Sequence, residues 1–208
     1  KYLDPTLILW RSSAQWIGGL YFLIFLILLF SNKTFNFKMT NLAYSGESNF
    51  KSEENIKNNI IQIFIFYTVL SFIIFTLLNF SGVRLFNSLN LTMTLVSGGG
   101  FLPSDSLSEI INSNFQKIIL IFSFILSILN FYLIFNIFNK NNLLTYHKED
   151  FYLLGLSLVL ILLIYFNNFD GLNTILSVLS SIANSGLTLI ENNNNLSLYF
   201  LFITIIGG

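Results

Sequence analysis

The sequence contains no cysteine and a single histidine, His147. Disulfides, thiolate metal sites and cysteine nucleophiles are therefore excluded, and a histidine cluster for zinc or iron cannot be assembled from one residue. Charge is scarce as well. Only 10% of the 208 residues are Asp, Glu, Lys or Arg, where a soluble domain carries roughly 25%. Ten basic residues balance ten acidic ones, for a formal net charge of zero. No basic field is available to hold phosphates, so nucleic acid is not expected as a partner. What fills the chain instead is apolar: 54% hydrophobic and 17% aromatic residues, with 24 Phe among them, and a mean hydropathy of +0.71. So little polar surface cannot cover a globule in water, and the composition predicts a membrane protein.

The chain opens on Lys1-Tyr2-Leu3-Asp4-Pro5 without an initiator Met and closes on Gly207-Gly208 directly after the apolar run Leu196 to Ile206. Both ends read as cut, so a longer protein is expected. The first apolar stretch is interrupted by Arg11 and lacks the basic leader and small-residue cleavage site of a secretory signal.

A helix needs about 20 apolar residues to cross a hydrocarbon core roughly 30 Å thick. Four stretches qualify: Gln15 to Phe30, starting nearer Trp10; Ile60 to Phe80; Ile118 to Phe138; and Phe151 to Phe169. A fifth begins at Leu196. Two further apolar segments, Leu85 to Val96 and Leu172 to Ala183, have 12 residues each. As helix they reach only about 18 Å and cannot cross. Each lies between two full spans and runs into small or polar residues, Ser97-Gly98-Gly99-Gly100 in one case and Asn184-Ser185-Gly186 in the other. This is the pattern of a re-entrant pore helix. Irregular backbone at membrane depth is tolerated where it is buried in protein or lines a watery cavity, and ion filters are such a place.

The two segments read as copies of one unit, span, half-helix, Gly-containing break and span, with Gly99 and Gly186 placed 87 residues apart. The fold class predicted is therefore an all-α integral membrane protein of span–pore-helix–span repeats with re-entrant filter loops. Its divisions are 1–30, the last helix of a first repeat; 31–59, a cytoplasmic loop; 60–138, a complete second repeat; 139–150, a second cytoplasmic loop; and 151–208, a third repeat truncated in its last helix.

Orientation follows from the loops. Ser31 to Asn59 holds Lys33, Lys38, Lys51 and Lys57, and Asn139 to Asp150 holds Lys140 and Lys148, whereas Ser81 to Lys117 holds only Arg84 and Lys117 and Asn167 to Asn195 no basic residue. The positive-inside rule makes the lysine-rich loops cytoplasmic, so both half-helices enter from outside. Asp105, Glu109, Asp170 and Glu191 lie on that outer side. They read either as ordinary solvated acids or as a vestibule (Asp105, Glu109 and Asp170) whose field draws cations over roughly the 8 to 10 Å that salt leaves unscreened. His147, beside Lys148, Glu149 and Asp150, reads as a surface residue. Arg11 and Arg84 sit at an outer membrane boundary, where snorkelling and pairing with a vestibule acid are the alternatives. Trp10, Trp16 and Tyr21 fit an interfacial aromatic anchor, and Gly18-Gly19 a close helix contact.

Several motifs resemble those of TrkH/KtrB-type potassium uptake proteins. Trp10-Arg11-Ser12-Ser13-Ala14-Gln15-Trp16-Ile17-Gly18-Gly19 looks like the segment that follows that family's first filter. Val96-Ser97-Gly98-Gly99-Gly100-Phe101, with Asp105 beyond it, resembles the second filter, and Ser181-Ile182-Ala183-Asn184-Ser185-Gly186-Leu187 the third. Ile205-Ile206-Gly207-Gly208 looks like the start of the Gly-rich membrane loop that comes next. The matches fall in the family's order and run essentially end to end, although Gly98 replaces the usual Thr or Ile and Leu187 the usual Phe.

The resemblance implies four repeats around a pseudo-fourfold pore in a bacterial inner (plasma) membrane. It further implies a homodimer whose cytoplasmic face meets a nucleotide-binding regulatory subunit, and potassium as the transported ion with no cofactor. The filter would be built from backbone carbonyls of Ser97, Gly98, Gly99 and Gly100 and of Asn184, Ser185 and Gly186, which replace an ion's hydration shell without a trapping charge. Gly99 and Gly186 would supply positive φ and close approach. The competing readings are a non-conducting membrane scaffold and a membrane enzyme. The second is disfavoured because the four full spans contain no Asp, Glu or His to act as acid, base or ligand.

Overall fold

The computed structural model describes residues 4–31, 53–104, 106–128, 148–165, 171–189 and 194–207. Over these residues the chain is helical, in the order α1 (Pro5–Ser31), α2 (Glu53–Phe80), α3 (Leu85–Ser97), a 3₁₀ turn (Leu107–Glu109), α4 (Asn114–Ile128), α5 (Lys148–Tyr165), α6 (Gly171–Ile182) and α7 (Asn194–Gly207). The half-helix boundaries agree with the sequence to within a residue. Most of the two lysine-rich loops lies outside the described residues, as do the far ends of the spans expected to finish at Phe138 and Phe169. Among the described residues, Ile60–Phe80 within α2 is long and apolar enough to cross a membrane.

The first helix starts earlier than its apolar run because its N-terminus is capped. Asp4 accepts the Thr6 backbone N–H on Oδ1 at 3.0 Å, and its carbonyl accepts from Leu7 and Ile8 at 2.9 and 3.1 Å. Pro5 fills the first helical position, where its missing N–H is not needed. The Thr6 amide holds the Asp4 carboxyl below its ordinary value. At its other end, α2 stops in a turn where Gly82 has φ +87°, with the Val83 N–H returning to the Leu78 carbonyl at 3.4 Å. This left-handed termination reverses the chain directly into α3.

Polarity is distributed opposite to that of a water-soluble bundle. On α2, one stripe (Ile63, Tyr67, Leu70, Ile74, Leu78) is buried, while Phe72 and Phe80 on the outside are 66% and 86% exposed. Among the described residues, the short helices carry most of the buried polar residues: Ser88, Asn90, Thr92 and Thr94 on α3, and Thr174, Ser177, Ser180 and Ser181 on α6. Several of their side chains return to their own helices, while Thr94 and Ser180 reach the loops that follow. Thr92 Oγ1 donates to the Ser88 carbonyl at 2.7 Å, and Ser181 Oγ to that of Ser177 at 2.8 Å. Small hydroxyls bonded in this way let neighbouring helices approach closely, although Asn90 Oδ1 is buried without a partner. An apolar exterior around such a centre is what a lipid environment selects.

Each short helix is wrapped by longer ones. Contacts join α3 to α1, α2 and α4, and α6 to α4, α5 and α7. Leu91 and Leu95 of α3, Leu120 and Phe124 of α4, and Leu176 and Leu179 of α6 share one buried cluster. A second cluster joins Val178 and Ile182 of α6 to Phe200 and Ile203 of α7. The packing of α1 against α3 parallels that of α4 against α6, so α1 stands to the first short helix as α4 stands to the second.

Trp16 departs from its expected place at the membrane interface. It turns inward, donating from Nε1 to Ser71 Oγ at 2.8 Å, with its ring centroid 5.1 Å from that of Tyr67. Trp10 and Tyr21 remain exposed. The Tyr67 hydroxyl donates to the Trp16 carbonyl at 3.0 Å. Of the two adjacent glycines, only Gly19 is a packing contact: a Cβ there would lie 2.9 Å from the Tyr67 hydroxyl oxygen and 3.1 Å from Ser97 Cβ, whereas one on Gly18 would meet nothing within 4 Å. Gly19→Ala is therefore expected to destabilise the full-length protein by about 1 to 3 kcal/mol through overpacking. Gly18→Ala should leave stability unchanged or raise it by up to about 1 kcal/mol through helix propensity. Melting curves in detergent check the difference.

Candidate functional site: two helix-end loops in contact

The segments that follow α3 and α6 end their helices in the same way. Gly98 and Gly100 have φ +68° and +74°, and Asn184 and Gly186 have φ +55° and +65°; Gly99 and Ser185 between them lie outside the left-handed region. The Gly99 N–H bonds to the Thr94 carbonyl at 3.0 Å and the Ser185 N–H to the Ser180 carbonyl at 3.0 Å. The helices themselves begin at Leu85 and Gly171. Helix starts, left-handed residues and closing bonds all correspond at a separation of 86 residues.

The pairing of Gly99 with Gly186 at 87 is thus one residue out. Gly100 is the counterpart of Gly186, Gly98 of Asn184, and Gly99 of Ser185. Three consecutive glycines against one give residue identity no means of choosing among registers. Asn184 conceals the correspondence further, because Asn is among the few non-glycine residues that enter the left-handed region readily. The reason for glycine at position 99 changes with it. Gly99 does not need positive φ; a Cβ there would overlap the side chain of Gln15 from α1.

The two loops meet backbone to backbone. A Cβ on Gly98 would lie 3.1 Å from the Ala183 carbonyl oxygen, and one on Gly100 would overlap the carbonyl group of Ser185. All the filter residues named from the sequence, Ser97 to Gly100 and Asn184 to Gly186, are therefore brought together at one place. Ser97 to Gly100 are half-buried, Ser185 is buried, and Asn184 and Gly186 are exposed. Among the described residues, the carbonyls of Ser97, Gly98, Gly99, Gly100, Asn184, Ser185 and Gly186 accept no hydrogen bond. These residues run from buried (Ser185) to exposed (Asn184 and Gly186). Their carbonyls form a row at the ends of two short helices, whose C-termini carry partial negative charge, and such a row is chemically suited to a cation. No group of three or more His, Cys, Asp or Glu side chains that could hold a metal ion occurs among the described residues.

Hydroxyls at matching positions brace the loops. Thr94 Oγ1 donates to the Phe101 carbonyl at 2.7 Å. Its counterpart Ser180 lies 3.1 Å, Oγ to Oγ, from Ser185, and Ser185 Oγ donates to the Ser180 carbonyl at 3.1 Å. Arg11 neither snorkels outward nor pairs with a carboxylate among the described residues. Its Nη2 donates to the Leu102 carbonyl at 2.9 Å, and its guanidinium carbon sits 4.4 Å from the centroid of the Phe101 ring. Arg84 is exposed at the start of α3. Lys117 of α4 donates to Asn173 Oδ1 in the first turn of α6 at 2.9 Å.

Of the proposed vestibule acids, Glu109 is exposed on the 3₁₀ turn, while Asp105 and Asp170 lie outside the described residues, as do His147 and Glu191. The sequence reading assigned no role to Gln15, Thr94 or Ser180. Available signals were the spacing of Arg11, Gln15 and Gly19 at i, i+4 and i+8, which places them on one helical face, and a hydroxyl residue four positions before each first left-handed residue.

The two glycines that correspond in structure should not tolerate alanine equally. Gly186→Ala meets open space and should cost only the left-handed penalty of about 1 to 2 kcal/mol. Gly100→Ala carries the same penalty and also drives its methyl into the Ser185 carbonyl, adding about 1 to 3 kcal/mol. Comparing the melting temperatures of the two full-length variants tests this order.

No protein-family model matches the chain. An uncharacterized cation transporter of Methanocaldococcus jannaschii is 27% identical over 218 aligned positions, covering 100% of this chain and 44% of that protein. The chain thus spans less than half the length of the curated relative it matches.

Proposed function

We propose that this chain is part of a cation uptake protein and that it contributes two walls of a potassium-selective filter, formed by the carbonyls of Ser97 to Gly100 and of Asn184 to Gly186. The observation that carries this reading is the contact between two helix-end loops of matching backbone geometry whose carbonyls have no internal partner. Peptide carbonyls replace the water of a dehydrating cation while adding no net charge that would hold it, which permits release as well as binding. Glycine and Asn184 supply the left-handed positions that such loops require. In this reading α3 and α6 are re-entrant pore helices, α2 and α4 the spans of one repeat, α5 and α7 those of the next, and α1 the closing helix of a preceding repeat.

The relative's description as a cation transporter supports transport of cations, and its greater length leaves room for the remaining walls. Selection of potassium, a bacterial inner membrane location, a homodimer and a nucleotide-binding regulatory subunit on the cytoplasmic face are carried by the resemblance to TrkH/KtrB-type proteins. Glu109, with Asp105 and Asp170, would give the outer mouth a cation-attracting field.

Uptake by the full-length protein in a bacterial strain that needs an added potassium transporter tests the reading. Gly99→Asp and Gly99→Ser should abolish growth at limiting potassium or cut it severely, since each places a side chain against Gln15 beside the carbonyls. Ser106→Ala should leave growth intact: among the described residues Ser106 Oγ bonds to Ser108 Oγ alone, and loop changes of this kind stay within about 0.5 kcal/mol. Equal effects of the three substitutions would sink the filter assignment. Absence of transport by membrane-inserted wild-type protein would favour a scaffold.

A further inference from the structure

One face of α1 runs along the loop that follows α3. Gly19 lies against Ser97, Gln15 against Gly99, and Arg11 reaches the Leu102 carbonyl and the Phe101 ring. Four residues of helix advance about 6 Å, within the ~7 Å that is the most two loop residues can span. The stripe at i, i+4 and i+8 can therefore follow Ser97 and Gly99 in step, and the long Arg11 side chain covers the remaining distance to Leu102.

Gln15 is the unusual member of this stripe. Its carboxamide occupies the place where a side chain on Gly99 would begin, and its Oε1 is buried without a hydrogen-bond partner. A buried amide oxygen left unpaired is unfavourable and needs a reason. The second copy of the loop suggests one. At the position equivalent to Gly99 stands Ser185, whose own hydroxyl turns back to the Ser180 carbonyl at the end of its helix. Gly99 has no side chain to brace its loop in this way, and a polar group from another helix fills the room instead. Gly99 also lacks the positive φ that would otherwise explain a glycine, so its smallness is matched to Gln15.

We infer that Gln15 is a positioning residue that determines cation selectivity: its carboxamide takes the place of the side chain that Gly99 lacks and fixes the spacing of the Gly98 to Gly100 carbonyls. The inference rests on the filter reading above. Without Gln15 the loop gains room beside Gly99, its carbonyls are free to shift, and discrimination between cations of different radius falls. The loop after α6 does not depend on α1, because Ser185 braces itself.

The test uses full-length protein in liposomes and measures initial uptake of potassium and sodium at equal amounts of inserted protein. Gln15→Ala should lower the potassium-to-sodium ratio at least about twofold, the factor to which the smallest coupling between touching residues corresponds. Gln15→Met keeps the length of the side chain without the amide and carries the same expectation, which covers the case in which the alanine variant does not accumulate. Gly99→Ser should also lower the ratio, because the new side chain collides with Gln15. The double variant Gln15→Ala with Gly99→Ser recreates the arrangement of Ser185 and should lie closer to wild type than either single variant. A purely structural role would lower both uptakes together and leave the ratio unchanged, and that outcome, or additive losses in the double variant, overturns this inference alone. No cation uptake by wild-type protein overturns the filter reading and this inference with it.

Discussion

A helix that ends inside a dry interior leaves its last carbonyls, and those of the loop that follows, without water to bond. This constraint organises the described part of the chain. Two short helices, α3 and α6, end in loops that touch each other, and the residues after each are left-handed at alternate positions. Longer helices pack against both. Hydroxyl residues close some of the exposed valences: Thr94 bonds the Phe101 carbonyl, and Ser185 the Ser180 carbonyl. Among the described residues, the carbonyls nearest the contact between the loops accept no hydrogen bond.

The short helices explain the inverted polarity around them. Ser, Thr and Asn residues fill α3 and α6 because their hydroxyls and amides bond the carbonyls of their own helix and occupy little space, which lets α1, α2, α4, α5 and α7 close around them. Large apolar residues lie on the outside as well as in the core, as on α2, where Phe72 and Phe80 are exposed while Ile63, Leu70, Ile74 and Leu78 are buried. The first helix joins this arrangement through an unusually polar stripe. Arg11 holds one end of the loop by a carbonyl and an aromatic face, and Gly19 lets α1 touch the end of α3. Trp16 and Tyr67 lock α1 to α2 by two hydrogen bonds.

Hydropathy and length were sufficient to locate both short helices to within a residue, because a 12-residue apolar run between longer ones is set by composition alone. The same reasoning placed Ser97 to Gly100 and Asn184 to Gly186 at the helix ends. The register between the copies was beyond it. Matching glycine to glycine put Gly99 opposite Gly186, but backbone conformation rather than residue identity defines the correspondence, and Asn184 adopts the conformation that Gly98 adopts in the other copy. Trp16 was misplaced for a related reason: an aromatic residue near a span end reads as an interfacial anchor until a partner such as Ser71, distant in sequence, is known to lie beside it.

Taken alone, the sequence determined that this chain is apolar enough to live in lipid, poor in reactive side chains, and built from long helices interrupted by two short ones. Those properties are sums over residues or periodicities along a segment, and they need no knowledge of neighbours. Tertiary structure decided which residues touch: that the two loops abut, that Gly19 and not Gly18 is a contact, and that Gly99 is small because Gln15 from a helix more than eighty positions away occupies its side-chain space. Such contacts depend on how separate helices pack, which local propensity and hydropathy do not encode.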